Sequence, residues 1–62
     1  MGSPGQTFGA HIAQLRRAQG YSQDELAIEL DVTRSIVSAW ENDHRSPRRQ
    51  HLEALADVLA AP

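Results

Sequence analysis

Three histidines, eight carboxylates and six arginines are the side chains of this 62-residue chain with chemistry to offer, and their spacing decides what kind. A metal site needs converging ligands. His11, His44 and His51 contain no pair at the i, i+4 spacing of a helical ligand pair, and cysteine is absent, so no metal and no cofactor is expected. An acid–base pair needs two carboxyls that face each other. Asp24 and Glu25 are adjacent, and adjacent helical residues point apart. Ser22 has no nearby His/Asp constellation and is better explained as a helix cap. No catalytic residue is therefore expected, and the chain reads as a binding module, not an enzyme.

The arginines carry a different signal. They are the only basic side chains besides histidine, and four of them, Arg34, Arg45, Arg48 and Arg49, fall between positions 34 and 49, where the only acids are Glu41 and Asp43. The other acids lie in 24–31 and 53–57. The net charge of −2 is the wrong sign for an ordinary nucleic-acid binder. The distribution of charge governs partner choice more than its sum, and here a basic segment stands on an acidic background.

The elements that must position these groups are short helices. A chain this long forms one small domain with a minimal core. Apolar spacing and end signals predict an all-α fold with helices at about 8–19, 23–30, 34–41 and 47–60. Residues 1–6 read as a lead preceding a domain over 7–60. Thr7, Ser22 and Thr33 are candidate N-caps, and Ser22 with Glu25 fits a capping box. Gly20 stands where a left-handed residue ends the first helix. Ser46-Pro47 is expected to open the fourth, because proline suits the first helical position. Phe8, Ile12 and Leu15 line one face of the first helix, and Leu52, Leu55, Ala56 and Leu59 one face of the fourth. Val37 and Trp40 face inward from the third. No apolar run approaches the roughly 20 residues that cross a bilayer, and no signal-peptide pattern is present, so a cytoplasmic location is expected.

Two helices of about two turns each, joined through Leu30-Asp31-Val32, must cross at a sharp angle, the helix-turn-helix arrangement. The small Ala27 permits their close approach. The run Gln23-Asp24-Glu25-Leu26-Ala27, then Leu30-Asp31-Val32-Thr33-Arg34-Ser35 and Val37-Ser38-Ala39-Trp40-Glu41-Asn42, resembles the phage repressor and Cro family, also called the xenobiotic response element family. Leu15-Arg16, Ser46-Pro47 and Leu55-Ala56 match as well, so the resemblance covers residues 7–60.

That resemblance implies a compact lambda-repressor-like domain and sequence-specific binding of a double-stranded DNA operator by a transcriptional regulator of repressor type. Its recognition helix would present Arg34, Ser35, Ser38 and Ala39 to base edges. Gln23, Thr33 and Asn42 would hold phosphates, joined by Arg45, Arg48 and Arg49. Arg16 and Glu41 would form a structural ion pair. The alternative is a protein-interaction module, antitoxin-like or bridging, on the same fold. Asp31 and Asp43 depart from the family, which has glycine in those turns, and Ala39 stands where a long polar reader is common. The family adds a fifth helix that often serves dimerisation. The sequence stops where that helix would begin, so a homodimer on DNA is expected to be weak or absent.

Overall fold

The computed structural model describes residues 7–60; residues 1–6, the expected lead, and residues 61 and 62 lie outside the described residues. The described residues form four helices and no strand: α1 (Phe8–Ala18), α2 (Gln23–Leu30), α3 (Arg34–Glu41) and α4 (Arg49–Val58).

The first three helices begin as their sequences dictate. The Thr7 hydroxyl accepts from Ala10 N at 3.1 Å. Ser22 accepts from Glu25 N at 3.0 Å while the Glu25 carboxylate accepts from Ser22 N at 2.8 Å, which completes the capping box. The Thr33 hydroxyl accepts from Ile36 N at 3.3 Å. Each such cap is worth about 1 kcal/mol, a substantial share in helices too short to persist alone.

The same three helices also end alike. Gly20, Asp31 and Asp43 have φ of 81°, 57° and 61°. In each case the amide after the left-handed residue reaches back across the last turn: Tyr21 N to Arg16 O at 3.0 Å, Val32 N to Ala27 O at 2.9 Å and His44 N to Ala39 O at 2.9 Å. The left-handed residues themselves donate to Arg17 O, Ile28 O and Trp40 O. These are Schellman motifs, which satisfy carbonyls that a helix end leaves bare. Aspartate tolerates this conformation better than most residues with a side chain, at a cost of roughly 1 kcal/mol relative to glycine.

The fourth helix corrects the sequence reading. It is shorter than 47–60 at both ends, and Ser46 does not cap it. Arg48 occupies the cap position in extended conformation (φ −74°, ψ 166°) and makes no side-chain cap hydrogen bond. With Arg48 still extended, the first helical bond is Leu52 N to Arg48 O.

Ile12, Leu26, Ala27, Leu30, Val37, Trp40, Leu55 and Leu59 form one core. α3 is its pivot, packing on both α1 and α2, while α4 closes the base against α2. Phe8 and Leu52, on the apolar faces of α1 and α4, are 51% and 40% exposed. They edge an open apolar cleft with His11, Leu15 and Ala56. One close approach is not singled out by the sequence reading. Gly9, buried on α1, lies against the end of α3, where an added Cβ would meet Glu41 O at 2.7 Å and come nearer still to Trp40 O.

Candidate nucleic-acid interface

Burying Val37 and Trp40 fixes the rotation of α3. The opposite side of the helix must then face outward. Arg34 and Ser35 are exposed, and Ser38 and Ala39 half-buried. These four line a single concave surface with Gln23 from the start of α2 and Asn42 from the end of α3. All four residues read as base-contacting, and two of those read as phosphate-contacting, are thus brought together. His44, to which the sequence reading gave no role, completes the hollow.

A second hollow opens on the far side of the α3–α4 connection. Arg45, Ser46, Arg48 and His51 line it with the flanks of Ile36 and Trp40. The His51 ring rests on the Trp40 indole, with centroids 5.3 Å apart and planes tilted by 49°. The main chain between the two hollows is held to α3, because His44 N and Arg45 N both donate to Ala39 O, at 2.9 and 3.3 Å. Arg45 and Arg48 therefore sit together. Arg49 stands apart: it is almost fully exposed and lies 3.9 Å from the also exposed Glu53, a pairing of little energetic weight. The Thr33 hydroxyl is engaged as the α3 cap.

Charge is sorted between these surfaces and the rest of the domain. Among the described residues Arg34, Arg45 and Arg48 line the hollows, and no carboxylate does. Two acids that lie near in sequence are taken up elsewhere. The Asp43 carboxylate accepts from Thr7 Oγ1 at 2.6 Å and from Gly9 N at 3.1 Å, so it closes the N-terminus of α1. Glu41 accepts from Arg16 Nε at 2.6 Å and from Arg16 Nη2 at 3.3 Å, with both side chains about nine-tenths buried. Arg16 Nη1 also donates to Tyr21 O at 2.8 Å. The expected ion pair is therefore a buried one.

That pair continues to the surface. Gln23 Nε2 donates to Glu41 Oε1 at 2.9 Å, and Gln23 Oε1 accepts from Arg34 Nε at 3.3 Å. A buried ion pair, an amide and an exposed guanidinium thus form one chain of contacts from the α1–α3 interface to the tip of α3. Gln23 orients Arg34 as well as lining the hollow. The Asn42 side chain donates to Ser38 O at 2.9 Å and lies 3.3 Å from Ser38 Oγ, which ties it down over the last turn of α3.

A helix-turn-helix family model matches residues 12–62, which span α2, the turn and α3 together with α4 and most of α1. A comparison with curated proteins gives no match. The chain belongs to this helix-turn-helix family of DNA-binding domains, as the resemblance to phage repressors and Cro led one to expect.

Proposed function

We propose that this domain reads operator DNA in a sequence-specific manner, as the DNA-binding part of a transcriptional regulator of repressor type. In this reading α3 enters the major groove with Arg34 and Ser35 leading, and the α3–α4 connection lies along the phosphate backbone. The observation that carries it is the sorting of charge: a chain of net charge −2 presents two adjoining hollows that hold three arginines and no carboxylate.

The roles divide by geometry. Arg34 stands at the N-terminal tip of α3, held at its Nε by Gln23, so its outer nitrogens are free to pair with the two acceptors of a guanine edge. Ser35, Ser38 and Ala39 present short side chains, which suit close approach more than long reach. Arg45 and Arg48 serve phosphates, Gln23 and Asn42 do so from the edge of the first hollow, and Thr33 and Arg49, which line neither hollow, are assigned phosphates on the family resemblance alone. A dimer on a pseudo-palindromic operator would place its half-sites about one helical turn apart. The repressor-type reading assigns the domain no catalytic step and no cofactor.

Selection from random duplexes, followed by affinity measurements at two salt concentrations, tests the proposal. Arg34→Ala is expected to lose roughly 1–3 kcal/mol of discrimination at one base pair. Arg48→Ala is expected to weaken every duplex alike and to flatten the salt dependence by about one unit of slope. Identical effects from the two variants would refute the division of roles. Duplex affinity that does not respond to salt would favour the protein-interaction module instead.

A further inference from the structure

We infer that duplex binding by this domain is coupled to proton uptake at His44 and His51, both of which act as phosphate contacts; the inference rests on the DNA-binding reading above. Each histidine lies in one of the two arginine-bearing hollows. His44 shares its hollow with Arg34, and His51 shares the other with Arg45 and Arg48. The third histidine, His11, lies in the apolar cleft of α1 and α4, away from both.

The surroundings of each ring decide what a proton does there. Around His44, α2 contributes the neutral Gln23, α3 contributes Arg34 with Ser38 and Asn42, and its own loop contributes Asp43 and Arg45. Asp43 is committed to Thr7 and Gly9, so its carboxylate is already partnered at the start of α1. Around His51, α3 contributes the uncharged Trp40 and Ile36, and the connection contributes Arg45, Arg48 and Ser46. Among the described residues neither hollow is lined by a carboxylate, so neither imidazolium has a counter-ion in its hollow. A phosphate placed there supplies one, and an anion in contact favours the charged form of the ring. Histidine is the side chain whose charge changes between about pH 5 and 8. Protonating both rings raises the positive charge of the two hollows from three arginines to five cations.

The coupling makes the domain a sharper polyanion binder in mildly acidic solution, and it does so without regard to sequence, because phosphate is the same at every step. The test uses fluorescence anisotropy on a mixed-sequence duplex three helical turns long, from about pH 8 to about pH 5.5. Wild-type affinity is expected to rise roughly tenfold over this interval, with each new phosphate contact worth up to about fivefold. The salt slope should steepen by about 0.9 for each histidine. His44→Gln and His51→Gln should each remove part of the rise, and the double variant all of it, each variant being read as the ratio of its own affinities at the two ends of the interval, with folding verified by thermal melting. His11→Gln should keep the full response. A double variant that retains the wild-type response, or a His11→Gln variant that loses it, would overturn the coupling. Failure of the folded wild-type domain to bind the duplex at any pH would sink the DNA-binding reading and the coupling with it.

Discussion

Replacing Gly9 with alanine tests the packing argument where two opposing effects are both large enough to see. Alanine is preferred to glycine in helix interiors by about 0.8–1.0 kcal/mol, so at an open site the substitution would stabilise α1. At Gly9 the new methyl would lie 2.7 Å from Glu41 O and 2.9 Å from Asp43 Oδ1, and closer than either to Trp40 O. The two carbonyls are backbone of the last turn of α3 and cannot rotate away. Relief requires α1 to slide from α3, which strains the Asp43–Gly9 hydrogen bond and the Arg16–Glu41 pair. Overpacking of this kind costs typically 1–3 kcal/mol, and the loosened contacts add to it, so a net loss of about 2 kcal/mol is expected after the propensity gain. In a domain of this size that corresponds to a fall in Tm of about 10 °C. Gly20→Ala is the matched control. It has nothing within 4 Å of the added Cβ but carries φ +81°, so it should lose only the left-handed penalty, about 1 kcal/mol. Urea and thermal unfolding followed by circular dichroism measure both. A Gly9→Ala domain as stable as wild type, or losing less than Gly20→Ala, would refute the claim that α1 docks through a contact only glycine allows.

Glu41→Ala should be the most damaging of the polar substitutions, at about 3–5 kcal/mol, because it leaves the buried Arg16 guanidinium with only Tyr21 O. Equilibrium unfolding measures it, and a loss below about 1 kcal/mol would show that the pair is effectively solvated. The two left-handed aspartates should part company when changed to glycine. Asp31→Gly relieves strain at a site whose side chain is exposed, and should leave stability unchanged or raise it by up to about 1 kcal/mol. Asp43→Gly gains the same relief but loses two hydrogen bonds that close α1, and should fall below wild type by about 1 kcal/mol in the same assay.

The parts of this fold legible in the sequence are those set by local chemistry. Thr7, Ser22 and Thr33 cap as their types imply, Gly20 ends α1, and the burial of Val37 and Trp40 follows from their spacing. The start of α4 was misjudged because Ser46-Pro47 has the local form of a helix start, while the turn that carries the chain away from α3 keeps Arg48 extended. The outward-facing set on α3 comes from the family resemblance, and it lies opposite the buried Val37 and Trp40. Gly9, His44, His51 and the second use of Asp43 were not foreseen. Each owes its role to a residue more than ten positions away or to a loop whose path no periodicity describes. Gly9 meets the end of α3, and Asp43 reaches back 34 residues to Gly9 N. A glycine early in an amphipathic helix was the one available hint, since it is an expensive choice unless another backbone must pass close by.

Sorting of charge also explains how an acidic domain can hold a polyanion. Glu41 is neutralised in the interior by Arg16, and the Asp43 carboxylate is turned to the amide end of α1, so neither lines the hollows. The remaining acids lie on α2, its turn and α4. What a phosphate meets then depends on screening. Near physiological salt the Debye length is about 8 Å, so a bound backbone senses mainly the arginines beside it. At 0.01 M salt that length grows to about 30 Å, comparable to the whole domain, and the distant carboxylates are felt as well. A uniformly basic domain should gain affinity log-linearly as salt falls. This one should follow that line near physiological salt and flatten at the dilute end, because each further dilution also unmasks repulsion. Titrations over two decades of salt separate the cases. A straight line throughout would mean that the acidic faces turn away from DNA so completely that the net charge of −2 has no bearing on binding.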